Sequence, residues 1–207
     1  MSQRLNIVPL RAVGDDPALV EGCRAGDRHA LDRFFRTHVQ RVERTIGRLV
    51  GPTPDLEDLV QTTFIEAMRS FARFRGEASL ATWVTRIAVH VAQHQLRRGL
   101  RRNLPLELLP SRDEPRDPTR SPERISDDRE LALRLHAALD KVKPKKRVAF
   151  LLFAVEGHSI EEVAALTGSS VAATKSRIWF ARRELVALAK KDPMLRELAH
   201  AVGKEDA

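Results

Sequence analysis

Tyrosine is absent from the 207 residues, and aromatic residues make up only 5% of them. Strands draw on aromatic and β-branched side chains, whereas Ala, Leu and Arg dominate here, so the composition favours helices over sheets. Cys23 is the one cysteine. A lone thiol excludes an intramolecular disulfide and a cysteine-rich zinc site, fits a reducing compartment, and reads as a small buried hydrophobe. No apolar run approaches the roughly 20 residues needed to cross a bilayer, and Met1 to Val13 lacks the apolar centre of a signal peptide. The expectation is a soluble, cytoplasmic chain without membrane insertion. Glycine-rich phosphate loops, nucleophile elbows and paired catalytic carboxylates are also missing, so no enzyme chemistry and no cofactor is expected.

Positive charge is what the sequence has in surplus. A formal net charge of +8 points to a polyanionic partner, because Lys and Arg gain free energy by displacing counterions from phosphates. Composition alone leaves a membrane surface or plain solubility open as well.

The chain divides at 103–129, where Pro105, Pro110, Pro115, Pro118 and Pro122 interrupt any helix and acidic residues outnumber arginines. Upstream of this linker, a helix is expected from Asp27 to about Val50, ended by Gly51, Pro52 and Pro54. The next begins near Asp55. Its apolar positions Leu56, Leu59, Val60, Phe64, Ile65, Met68 and Phe71 recur at steps of three and four, with Glu57, Asp58, Gln61 and Glu66 opposite. After a basic loop, Ser79 can cap a third helix that buries Leu80, Trp83, Val84, Ile87, Ala88 and Val91 and runs into Arg97 and Arg98.

Downstream, Leu131, Leu135, Leu139 and Val142 mark one amphipathic helix, and Pro144 opens another that ends near Val155. Ser159 with Glu162 is a capping box for a short helix through Leu166, and Thr167-Gly168-Ser169 makes a tight turn. Ser170 then caps a longer helix expected to bury Val171, Thr174, Ile178 and Ala181. Short helix, glycine turn and longer basic helix form a helix-turn-helix pattern, in which the second helix enters the major groove. An ordinary helical hairpin with a solvated basic face fits the same pattern. Arg97 and Arg98 are open to two readings, a phosphate patch or a charged helix end favoured by the macrodipole. His90 and His94 lie one turn apart, but no third ligand accompanies them and no metal site is expected.

The order of these parts resembles the extracytoplasmic-function sigma factors of bacterial RNA polymerase. Asp55 to Met68, Phe74 to Leu80 and Thr82 to Ala88 look like the second region of that family; Val155 to Ala164, Lys175 to Arg177 and Ala181 to Arg183 look like the fourth. The resemblance implies an all-α chain of two helical domains, a region 2-like bundle at 18–102 and a region 4-like helix-turn-helix domain at 130–191. A flexible proline-rich linker at 103–129 would join them, with tails at 1–17 and 192–207. The implied function is a sigma factor that binds core RNA polymerase, directs it to promoters and promotes strand opening. A free-standing helix-turn-helix regulator of operator DNA is the alternative.

By the same resemblance, Asp58, Leu59, Gln61, Thr62 and Phe64 would dock on the polymerase, on its β′ subunit, with β also a partner. Phe74, Arg75, Gly76, Glu77 and Ser79, with Arg86, Arg97 and Arg98, would contact the downstream promoter element and a base flipped from it, a step that costs a few kcal/mol. Ser170, Ala173, Thr174, Lys175, Arg177 and Arg182 would meet the upstream element. An anti-sigma factor is implied as a further partner. Val89 and His90 stand where the family commonly has Arg-Asn, and Trp179 with Phe180 replaces a more basic pair. These departures imply an unusual promoter or an additional contact.

Overall fold

The computed structural model describes residues 16–99 and 122–196, with side chains of the second segment described from Glu130 onward. Every regular element in it is helical. Helix α1 spans Pro17–Ala25, α2 Arg28–Val50, α3 Leu56–Ser70 and α4 Leu80–Gly99, with a 3-10 turn at Phe71–Arg73. The second half contributes α5 (Pro122–Asp140), α6 (Pro144–Ala154), α7 (Ile160–Thr167) and α8 (Val171–Ala189).

Local chemistry sets most of these ends. The Asp27 carboxylate accepts from the Ala30 amide at 2.8 Å, satisfying one of the donors that every helix start leaves bare. Asp16 does the same for α1, which Pro17 opens, so the first helix begins slightly before the boundary expected at residue 18. Pro122 likewise stands first in α5, where its missing N–H costs nothing. The linker expected over 103–129 is therefore helical in its last eight residues, 122–129. Pro105, Pro110, Pro115 and Pro118 lie outside the described residues.

Helices α1 to α4 enclose an aromatic core. The Phe34 ring meets Phe71 at 5.0 Å and Phe64 at 5.7 Å, both edge to face, and Trp83 completes the group against Phe71 and Phe74. Such contacts add about 0.5–1.5 kcal/mol each beyond the area they bury. Cys23 lies in this core, and burial pushes its thiol pKa up, away from the reactive thiolate.

The second core is aliphatic and crosses the expected boundary. Leu49 of α2 and Val89 and Ala92 of α4 pack with Leu139, Val148, Leu152, Val163, Leu166 and Ile178. The two helical domains expected from the sequence touch one another, α2 against α6 and α4 against α6 and α7. Helical spacing shows that a residue belongs to an apolar face, but not which neighbour covers it.

A cation lies at this joint. Arg147 is only 2% exposed, and its guanidinium donates to the carbonyls of Leu49 at 3.1 Å and Val50 at 2.9 Å, and to the Asp140 carboxylate. The acceptors are the last carbonyls of α2, which have no partner within their own helix. Burial pulls the Arg147 pKa down, and Asp140 opposes that shift. Nearby, Gly51 has φ of +85°, and a Cβ there would come within 2.7 Å of the His136 imidazole. Both the backbone conformation and the close approach of α5 require glycine.

Candidate nucleic-acid and polymerase interfaces

Three surfaces receive the residues singled out from the sequence. On α3, Asp58, Gln61 and Thr62 are exposed. Leu59 and Phe64 are not: at 8% and 2% exposure they belong to the aromatic core, and their assignment to a docking surface is corrected. Ile65 and Met68 depart in the opposite sense. Expected inside, they are 40% and 43% exposed. At about 100° per residue, Ile65 falls between Asp58 and Gln61 on the outward face, and its spacing from both was available in the sequence. Asp58, Gln61, Thr62 and Ile65 therefore share one exposed face of α3.

The loop before α4 is held at both ends. Phe74 is buried, and Arg24 donates to its carbonyl at 2.6 Å, so this ring is core and does not face a base. Arg75, Gly76 and Glu77 are exposed at the tip, where Gly76 has φ of +74°. Ser79 accepts from the Thr82 amide at 3.1 Å, as expected of a cap.

Along α4, Arg97 and Arg98 are exposed and border a cleft of about 540 Å³ between α3 and α4, shared with Thr62, His90 and His94. Arg86 also borders it, but its guanidinium donates twice to the Ala165 carbonyl, at 2.9 and 2.7 Å, near the end of α7. It is engaged by the second half of the molecule. Val89 is fully buried in the shared core, which gives a packing reason for an apolar residue at that position. Among the described residues no group of three or more His, Cys, Asp and Glu side chains could hold a metal ion.

The helix-turn-helix is built as its caps dictate. Ser159 and Glu162 exchange hydrogen bonds at 2.8 and 3.1 Å, Gly168 turns the chain at φ of +61°, and Ser170 accepts from the Ala173 amide at 3.2 Å. Thr174 is fully buried, bonded to the Ser169 hydroxyl at 2.7 Å and the Ser170 carbonyl at 3.0 Å. It fixes the turn from inside and is withdrawn from the expected DNA contacts. Val171, expected inside, is 38% exposed.

Lys175 is exposed on α8; Ala173, Arg177 and Arg182 are half-buried on its flanks, and Ser170 is exposed at its start. The outward face also carries Ser176, Trp179 and Arg183. Sequence reasoning noted Trp179 only as a departure; its spacing of four residues from both Lys175 and Arg183 was the signal that places it on this face.

Both halves of the chain are similar to known proteins. Residues 34–102 match sigma-70 region 2, and residues 132–185 match sigma-70 region 4. The RNA polymerase sigma-H factor of Pseudomonas aeruginosa is 30% identical over 88% of this chain and 96% of its own length. The ECF RNA polymerase sigma factor SigE of Mycolicibacterium smegmatis is 36% identical over 77% of this chain, which spans 63% of that relative's length. Among solved structures, CnrH in complex with the cytosolic domain of CnrY aligns with a TM-score of 0.58 at 25% identity, covering 86% of this chain and 98% of that one. The chain belongs to the ECF sigma factors of RNA polymerase.

Proposed function

We propose that this chain binds core RNA polymerase through the outward face of α3, brings it to promoters through α8, and promotes strand opening beside α4. The observation that carries this reading is the presence, on one chain, of both sigma regions with different exposed surfaces. Asp58, Gln61, Thr62 and Ile65 form a mixed polar and apolar docking face, suited to the β′ subunit. Arg75, Glu77, Arg97 and Arg98 surround the loop and cleft where the downstream element and an unpaired base would lie. Basic groups there favour the separated strands without making or breaking a covalent bond, so the chain acts without catalysis of its own.

Arg86 joins this surface only when the two halves part, because its donors are held by Ala165. Ser170, Ala173, Lys175, Arg177 and Arg182 remain the upstream-element set. Two of the original residues, Thr174 and Phe74, act from beneath the surface. An anti-sigma factor as protein partner belongs to the same reading, as does a site of action in the bacterial cytoplasm with the polymerase; CnrH is itself in complex with the cytosolic domain of CnrY. No helix of the described residues is long and apolar enough to cross a membrane.

Run-off transcription with core polymerase, with and without this chain, is the direct test. The expected result is a discrete product from genomic templates only when the chain is present. No such product from any template removes the proposal.

A further inference from the structure

One large apolar side chain stands where a DNA-reading helix normally presents polar groups. Trp179 is 50% exposed on α8. The inward residues Thr174, Ile178 and Ala181 fix the rotation of this helix. At about 100° per residue, Lys175, Ser176, Trp179 and Arg183 then share an arc of roughly 100° on the opposite side. Trp179 is not a stray rim residue; it lies one turn from Lys175 and one turn from Arg183, inside the basic face.

Its geometry is set by two neighbours. The Arg183 guanidinium carbon lies 4.7 Å from the centre of the indole, a cation–π contact that covers one face of the ring. Phe180 meets it edge to face at 4.9 Å and 80°, and Lys146 in turn sits 5.1 Å from the Phe180 ring. The indole is thus braced from two sides, and half of the residue stays exposed.

We propose that Trp179 reads a thymine in the upstream promoter duplex by packing against its C5-methyl group, and that Arg183 is the positioning residue that holds the indole for it. This rests on the reading of α8 as the helix that enters the major groove. The argument is chemical. The floor of that groove offers donors and acceptors at every base pair, but only one apolar group, the thymine methyl. An exposed indole gains nothing from phosphates, which suit Lys175, and it gains from the one surface that can remove it from water. A protein partner on this face would have to cover Lys175 and Arg183 as well, which makes a polyanion the better match for its charge.

The test replaces thymine by deoxyuridine, which deletes the methyl and leaves base pairing intact. Holoenzyme assembled from the full chain and its core polymerase first selects upstream sequences from a randomised duplex pool. Each thymine of the selected sequence is then changed singly to deoxyuridine. One position should lose about fourfold in affinity with the wild-type chain, the effect of one methyl removed from an apolar contact. That loss should vanish for Trp179→Ala, and shrink for Arg183→Ala while that variant still assembles with the polymerase. Uracil tolerated at every position by the wild-type chain overturns the assignment without needing any variant, and leaves the helix-turn-helix reading standing. A pool that yields no selected sequence overturns both. Weakened polymerase binding by Trp179→Ala, with the thymine preference intact, shows a protein contact instead and overturns the assignment.

Discussion

The two halves of this molecule place most of their aromatic residues differently, with Phe35 on the surface of the first and Phe150 against the core of the second as the exceptions. In α1 to α4, Phe34, Phe64, Phe71 and Phe74 are buried and Trp83 packs against them, giving the bundle a core of its own. In α6 to α8, Trp179, Phe180 and Phe153 are exposed, while the core is aliphatic and includes Leu49, Val89 and Ala92 from the first half. A core that includes a neighbour's side chains depends on that neighbour staying in place. A core of edge-to-face and tilted rings drawn from one half does not. The contrast teaches that the second half is the part whose packing responds to contact, and that its exposed rings are available for recognition.

Substitutions can break this comparison. Phe34→Ala empties the centre of the ring cluster and should cost about 3–5 kcal/mol, seen as a large drop in unfolding temperature. A small effect there would mean the first core is not the independent one. Arg147→Ala strips the α2 carbonyls of their donors and should cost roughly 2 kcal/mol, concentrated at the joint. Hydrogen exchange should quicken in α6 and α7 and leave the interior of α3 unchanged; equal loosening of α3 would contradict the asymmetry.

Gly168→Ala sharpens it further. No atom lies within 4 Å of the position a Cβ would take, so the cost should be the left-handed backbone alone, about 1 kcal/mol. Gly51→Ala should cost more than Gly168→Ala, because His136 occupies the space as well. On the binding side, Lys175→Ala should lower the salt dependence of holoenzyme binding to the upstream element by about one ion. An unchanged slope would show that this face does not meet phosphate.

The smallest expected effect is at Asp16, whose carboxyl is held below its usual pKa by the Ala18 amide and by Arg33. A depressed folded pKa contributes stability above the unfolded value, which is lost as pH falls through the folded one. Asp16→Asn should therefore flatten the acid side of the stability profile slightly, measured as unfolding temperature against pH.

Much of this was legible in the residues. Asp27, Ser159 with Glu162, and Ser170 announce helix starts through short-range bonds, and the structure places helices there. Faces were read less well. The apolar spacing of Leu59 and Phe64 puts both side chains in the core, at 8% and 2% exposure, which leaves neither for a docking surface. Ile65 and Met68 continue the apolar steps of three and four but turn onto the outward face of α3, at 40% and 43% exposure. The joint was invisible because it depends on distant partners: Arg147 lies 98 residues from Leu49, and nothing local to either marks the bond.

The bond between Arg147 and α2 is also one-sided in its genetics. Its acceptors on α2 are main-chain oxygens, present whatever side chains occupy positions 49 and 50. Codon changes there can disturb the fit of the apolar surfaces but cannot delete the polar clasp. Variants that open the molecule by losing that clasp should therefore arise at Arg147, with Asp140 as the weaker second site, rather than at the residues whose carbonyls it holds.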